Sequence, residues 1–404
     1  MASAFVAQDT ARGKILADVS QVGSWTEVDQ KLSCGDRPAH YLLLLPNECR
    51  CRAASQADVA ALLEIERVLG MQVAASSCAD KRHLAAIQQQ LLRLRADSRR
   101  NEAASRALTA FYQLAAAEAA CDATDRSVNE VRRMIADHER IKQLTGQSPP
   151  DINSLAQREI EILNQRAEAF ISVTRLNLQL RRMLAIDPAD SRAIWPKADL
   201  SPIAQPLDVD SARGFALAQR SELQSLRLIL SSLGPDTLPL ARAAVAQQDS
   251  ALGTAAPACW ILHPDLADRE LAARRQQLGR SLAAAQQAIA DEIHGLVLDV
   301  QMNLRQVAAA KQNLEYRQHD FSGLQAKHAV DAATAFDLAA AQLAVIQAEH
   351  ELISRAVDWR IAEVRLREAE GCLAIDCGCE SMSPISAQPA PEIARSVFTR
   401  LTTR

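Results

Sequence analysis

The sequence predicts an all-α fold made of two tandem repeats, each a long antiparallel coiled-coil helical hairpin. Aromatic residues make up only 3% of the 404 residues, and there are only 13 glycines and 15 prolines. Strands and tight turns need more of these residues. Proline is absent from 47–148 and from 265–383, so both stretches can hold long helices. Within them, apolar residues recur every seven positions, which is typical of coiled coils.

An irregular N-terminal segment is predicted over 1–54. Charged residues such as Asp9, Arg12 and Lys14 interrupt the beginning of the chain, so no export signal with an apolar core is visible. The apolar cluster 41–45 ends at Pro46 and is too short to cross a membrane.

Residues 55–187 form the first predicted repeat. Its long helix is expected to stop at 145–150, where Gly146 precedes two prolines. Three helices are predicted here, over 56–73, 81–144 and 153–186.

A proline-rich linker over 188–210 leads to the second predicted repeat, residues 211–376, and a C-terminal tail over 377–404. The repeat opens with a helix over 211–233 that can resume after Pro239. A long helix over 266–322 then has a seam formed by Ile293, Val300, Val307, Leu314 and Phe321.

The return helix of this repeat has a matching seam, joined to the first by the short segment 323–337. The short connection makes the two helices antiparallel neighbours. Alanine follows most seam residues by three positions, which lets the helices approach closely. The seam consists of Leu338, Val345, Leu352, Trp359, Leu366 and Leu373.

Both return helices finish with the same tetrapeptide, which occurs as Leu184–Asp187 and again as Leu373–Asp376. Together with the like plan of the two hairpins, this match indicates a tandem duplication.

Several classes of function are excluded or left without support. The net charge of −4 excludes a strongly basic nucleic-acid binder. The sequence has no glycine-rich phosphate loop and no triad-like pattern, so we expect no enzyme and no cofactor. Nine cysteines, two pairs of them in C-x-C spacing, are expected to be free or locally paired thiols rather than a zinc site.

Three motifs resemble the TolC-like outer-membrane efflux protein family, also called outer membrane factors. Residues 216–227, ALAQRSELQSLR, look like the opening of a repeat in that family. Residues 332–342, AATAFDLAAAQ, look like its hairpin tip, and 362–371, AEVRLREAEG, look like its closing motif. The resemblance covers most of 55–376.

The resemblance implies a homotrimer whose hairpins form a helical tunnel through the periplasm, at the outer membrane. The tunnel would be a passive conduit for substrates, working with a periplasmic adaptor and an inner-membrane pump. The sequence departs from the family in the segments 74–80 and 253–264, which are too short for two spanning strands each, so barrel strands are expected to be reduced or missing. The alternative function is a non-conducting structural or interaction bundle derived from that family.

The resemblance also places the tips, where the adaptor would dock or the tunnel would open. For Asp331, Thr334 and Asp337, helix capping is the competing interpretation, and one residue can do both. The predicted tip residues are Gly146, Gly323, Asp331, Thr334, Phe336 and Asp337.

Overall fold

The computed structural model describes most of the chain between the two terminal segments. The described residues are 41–75, 79–145, 152–190, 192–202, 207–246, 264–330 and 332–374. They form helices almost throughout, so the predicted all-α class is confirmed.

Regular structure begins before residue 55, where the first predicted repeat starts. The first repeat contains β1 (Tyr41–Leu44), α1 (Pro46–Ala54), α2 (Ala57–Ala75), α3 (Ala79–Thr145) and α4 (Ile152–Met183). The part of the N-terminal segment that the structure describes is therefore not irregular. Its apolar residues form a strand that ends where Pro46 starts a helix, a position where the missing N–H costs nothing.

The second repeat follows the same order of elements with one additional helix, α7. It contains β2 (Ala193–Pro196), α5 (Val209–Gln219), α6 (Ser221–Ser231), α7 (Leu238–Ala246), α8 (Pro264–His328) and α9 (Ala335–Ala369). The single helix predicted over 211–233 is thus two helices, divided at Arg220.

The proline-rich linker contributes a strand as well. β1 and β2 pair in parallel, with Tyr41 opposite Ala193 and Leu44 opposite Pro196. Because Leu42, Leu44 and Ile194 are buried in the main core, this two-stranded sheet holds the start of each repeat against the helices.

The four long helices form one layer in the order α4, α3, α9, α8. α3 and α9 pack against each other, and each also packs against its hairpin partner. The predicted seams are the core of this layer, with Ile293, Val300 and Val307 of α8 and Leu352 and Trp359 of α9 all buried.

The two return helices end in the same way. In each, a residue with positive φ follows the last turn, Ala185 at 47° and Gly371 at 77°. The next N–H then reaches back over the helix end, from Ile186 to Arg181 and from Cys372 to Arg367. These are Schellman motifs.

The matching helix ends support two similar repeats, but they align the repeats differently from the repeated tetrapeptide. The first tetrapeptide contains the turn residue Ala185, whereas the second begins two positions after the turn residue Gly371. Placing Ala185 on Gly371 therefore leaves the two tetrapeptides out of register by three positions. The tetrapeptide match is not a structural equivalence.

A helix break near the start of each repeat caps the return helix of the same repeat. Gln56, between α1 and α2, donates through Nε2 to the carbonyl of Met183, the last residue of α4. Arg220, between α5 and α6, donates through Nη1 to the carbonyl of Ala369, the last residue of α9, at 3.2 Å. The two breaks therefore mark equivalent positions in the repeats.

Among the described helices, none has a stretch long and apolar enough to cross a membrane. Reduced strands were predicted over 74–80 and 253–264. Residues 76–78 and 253–263 of these segments lie outside the described residues, and the remaining residues belong to helices.

Candidate functional site: the hairpin tips

The tip of the second hairpin is tighter than the sequence indicated. α8 continues past Gly323 to His328, so Gly323 lies inside the helix and not in the connection. Two bonds close the turn: the N–H of Ala332 donates to the carbonyl of Lys327 at 2.8 Å, and His328 Nδ1 donates to the carbonyl of Ala333 at 2.9 Å.

Thr334 and Asp337 form a capping box at the start of α9. Thr334 Oγ1 accepts from the Asp337 N–H at 3.1 Å, and Asp337 Oδ2 accepts from the Thr334 N–H at 3.0 Å. The hydrogen bond from the Thr334 side chain lowers the pKa of Asp337. The capping interpretation of these two residues is therefore correct, and the box fixes the shape of the turn before α9.

Phe336 joins the two hairpins just behind the tip. Its ring lies edge-on to His138 of α3, with centroids 5.5 Å apart and an interplanar angle of 66°. His138 is buried, and its Nδ1 donates to the carbonyl of Met134 at 3.0 Å. Phe336 also packs against an apolar cluster of Met134, Leu155 and Ala339, together with Ile135 and Leu343.

Apolar side chains also point into solvent at the two tips. Leu144, one residue before the end of α3, is 80% exposed, and Val330, two residues after α8, is 73% exposed. Contiguous exposed apolar patches mark protein-docking surfaces, whereas singly exposed apolar residues such as these two are common. Gly146 and Asp331 lie outside the described residues.

Sequence reasoning located Thr334, Phe336 and Asp337 but missed His138, Leu144 and Val330. His138 lies four residues after Met134 in α3, and this spacing places both side chains on the apolar face of the helix. Leu144 and Val330 carry no sequence signal of their own, because their exposure depends on where the helices end.

A cleft of about 490 Å³ lies at the second helix break and includes none of the tip residues. Arg220 lies in it and pairs with Glu292 at 2.8 Å and with Glu222 at 3.2 Å. Glu368 also lines it, and burial raises the pKa of this carboxyl although the Ser105 hydroxyl donates to it at 2.5 Å. The described residues contain no group of three or more His, Cys, Asp or Glu side chains that could hold a metal ion.

No protein-family model and no curated protein matches the sequence. Solved structures do match. The Campylobacter jejuni CmeC outer membrane channel aligns with a TM-score of 0.60 and 10% identity, over 81% of this chain and 85% of that one. The Neisseria gonorrhoeae MtrE outer membrane channel in its open state aligns with 0.57 and 10%, over 81% and 88%.

CusC, described as forming a transmembrane channel, aligns with a TM-score of 0.54 and 14% identity, over 80% of this chain and 95% of that one. These likenesses confirm the fold predicted from the resemblance: the chain has the long-helix fold of TolC-like outer membrane channels.

Proposed function

We propose that three copies of this chain close into a helical tunnel that acts as a passive efflux or export conduit at the outer membrane. The observation that supports the proposal is that the layer of four long helices is open at both edges. α4 and α8 form its two edges, and both expose apolar residues, including Ile171 at 56% and Met302 at 54%. Edges of this kind are covered when copies join side by side, and a head-to-tail contact either closes a ring or extends without limit.

The fold supports closure into a ring. The solved proteins that share it are outer membrane channels, and their chains align with this one over most of their length. A passive conduit requires no catalytic group, so its substrates would be selected by the width and polarity of the tunnel.

The tips are the proposed contact with a periplasmic adaptor, which would connect the tunnel to an inner-membrane pump. The capping box at Thr334 holds the turn in one shape, and the exposed Leu144 and Val330 offer apolar contacts. The His138–Phe336 pair holds the second tip against α3, so loosening this pair would let the tips separate.

Conductance and location test the conduit. The intact chain, extracted from outer-membrane fractions in detergent, is expected to assemble in three copies and to conduct ions in a planar lipid bilayer. An assembly of three copies that never conducts would favour the alternative, a non-conducting structural bundle. Recovery of the chain only as single copies in the soluble fraction would reject the proposal.

Docking at the tips is tested separately. Leu144→Glu and Val330→Glu change exposed side chains, so both variants are expected to assemble normally. They are expected to weaken binding to a purified periplasmic adaptor of the source organism at least tenfold. Leu43→Glu is the matched control, because Leu43 is about half exposed in β1, which is not part of the tips. Equal binding by all three variants would contradict docking at the tips.

A further inference from the structure

The two-stranded sheet has two outer edges, and the backbone pairing shows which residues face them. In a parallel pair, alternate residues of each strand direct their N–H and carbonyl groups toward the partner strand. The N–H of Lys197, which follows β2, donates to the carbonyl of Leu44 at 2.9 Å. Leu44 therefore faces β2, and the backbone groups of Leu43 face the outer edge of β1.

The outer edge of β2 is closed by a side chain. Asn177 of α4 donates through Nδ2 to the carbonyl of Ile194 at 3.1 Å, and its Oδ1 accepts from the N–H of Ile194 at 3.2 Å. Both residues are buried. The amide of Asn177 thus makes the two hydrogen bonds that a neighbouring strand would make, so this edge cannot accept another strand.

The outer edge of β1 has no equivalent cover in the described part of the chain. No described turn, loop or side-chain group bonds to the N–H or the carbonyl of Leu43, and β2 is the only described element that packs extensively on β1. The side chains of Leu43 and Leu45, which share one face of the strand, are 51% and 48% exposed. Because unpaired backbone groups on an edge are a template for another strand, β1 offers a docking site for an extended segment.

The C-terminal tail contains a segment with the composition of a strand. Five of the eight residues 396–403, SVFTRLTT, are β-branched or aromatic. Such residues favour strands and lose side-chain freedom in a helix. The helical spacing of Ile393, Val397 and Leu401 is the competing pattern, and the composition favours the strand. The segment lies outside the described residues.

The segment also alternates in the way that the open edge requires. Its odd positions include Val397, Thr399 and Leu401, and its even positions include Phe398 and Arg400. A third strand shares both faces of the sheet with its neighbour. The odd positions would continue the buried face of β1, and the even positions would place an apolar ring and a charge on the half-exposed face.

The tail begins close to the helix that follows β1. Leu373, just after α9, is buried, and its N–H donates to Oδ1 of Asn101 at 2.9 Å, which fixes the point where the chain leaves α9. Burial raises the pKa of the Tyr112 phenol in α3, and Arg367 of α9 and Cys49 of α1 both lie close enough to act on it. The end of α9 therefore lies near α1.

We infer that residues 396–403 pair with the outer edge of β1 of the same copy, as the third strand of the sheet. The 21 residues 375–395 reach roughly 70 Å when extended, so the length of the tail allows the contact. The pairing would join the C-terminal tail to the start of the first repeat and close the sheet at both edges. It does not depend on the assembly of three copies, so this inference and the proposed function can fail separately.

Hydrogen exchange resolved at single amides tests the pairing in the full chain. The N–H of Leu43 is protected only if a third strand covers it, whereas the N–H of Leu44 faces β2 in either case. In the unsubstituted chain we expect Leu43 to exchange at least tenfold more slowly than in an unstructured peptide.

Proline substitutions in the segment identify the strand that gives this protection. Thr399→Pro and Arg400→Pro each remove one N–H, and because adjacent residues face opposite edges, one of the two removes a hydrogen bond to β1. That variant is expected to lose at least tenfold of the protection at Leu43, while Leu44 changes less than twofold. Ser386→Pro is the matched control, since it changes the same tail outside the segment.

The outcomes decide between the possible occupants of the edge. Free exchange of Leu43 in the unsubstituted chain would overturn the inference, as would protection that survives both prolines in the segment. An equal loss in Ser386→Pro would also contradict the assignment to 396–403. Protection that disappears when assemblies are separated into single copies would show that a second copy supplies the strand, and would overturn pairing within one copy.

Discussion

The two repeats share one plan but differ in what surrounds their short helices. The second repeat places Ile229 between α8 and α3, where it is buried, and the first leaves the equivalent Ile65 in solvent. Since the helix breaks and helix ends correspond, the difference is not one of local structure. Within the described residues, the second repeat therefore has a neighbour over its short helix that the first repeat lacks.

The largest expected change in stability comes from substituting Ile229, with Ile65 as its counterpart in the first repeat. Ile229→Asp places a charge in an apolar cluster without a partner, so the unassembled chain should lose about 3 kcal/mol or more of its unfolding free energy. Ile65→Asp should change the same quantity by less than about 0.5 kcal/mol, as surface changes do, but should prevent assembly. Denaturant unfolding and native mass spectrometry measure the two effects. Equal destabilisation of the unassembled chain by both variants would remove the contrast between the repeats.

The helix breaks offer a second contrast, because Arg220 has ion pairs and Gln56 has none in the described residues. Arg220→Gln gives the second repeat the chemistry of the first and should lower the unfolding free energy by about 1 kcal/mol at low salt. The loss should shrink in high salt, which screens the pairs with Glu222 and Glu292.

Gln56→Ala is the matched variant in the first repeat. It removes a neutral hydrogen bond to the carbonyl of Met183, so its cost should also be about 1 kcal/mol. This cost should not depend on salt, and unfolding at two salt concentrations distinguishes the variants. A loss for Arg220→Gln that is the same at both concentrations would argue against the ion pairs.

The ends of α4 and α9 differ in charge, and this gives a pH dependence. Glu368 lies where the first repeat has the exposed Arg182, and burial raises the pKa of the glutamate. A carboxyl whose pKa is raised in the folded state favours the protonated form, so its cost grows as pH rises above the ordinary value of about 4.3.

Glu368→Gln should therefore make the chain more stable than the unsubstituted protein at pH 7, and the gain should vanish below about pH 4. The amide oxygen can still accept the hydrogen bond from Ser105. Unfolding measured across this pH range tests the prediction. If the Gln variant is less stable at pH 7, the neighbouring groups stabilise the charged carboxylate of Glu368 and the prediction is wrong.

The most local expected effect is at the tip of the second hairpin. Thr334→Ala removes the N-cap of α9 and should cost about 1 kcal/mol, lowering hydrogen-exchange protection of the first turn roughly fivefold. Because the Thr334 hydrogen bond lowers the pKa of Asp337, the stabilising contribution of the cap is present above the ordinary pKa of about 3.9 and is lost as pH falls through the lowered value. An unchanged protection pattern in the variant would show that the cap does not hold the tip.

Much of this fold follows from periodicity and proline spacing alone. Seam residues such as Val300 and Trp359 are buried as predicted, because a seven-residue repeat specifies one helix face without knowledge of the partner. The paired strands could not be predicted, since β1 pairs with a strand of the other repeat and a short apolar run carries no such information. The helix break at Arg220 could not be predicted either, because Arg220 donates to the carbonyl of Ala369, which is distant in the sequence.

The tip was predictable only in part. Thr334 and Asp337 have the spacing of a capping box, which is a local pattern. The contact of Phe336 with His138 depends on how two hairpins pack, and the exposure of Leu144 and Val330 depends on the exact helix ends. The helix breaks and helix ends likewise show which positions of the two repeats are equivalent. An alignment based on the repeated tetrapeptide differs from that of the helix ends by three positions.

Native mass spectrometry of the unsubstituted chain, released intact from detergent, tests the central claim most directly. Because α4 and α8 form the two open edges of the helical layer, we predict a single assembly of three copies, with no larger members. A spectrum containing only single copies, a two-copy end point or an open-ended series would contradict it.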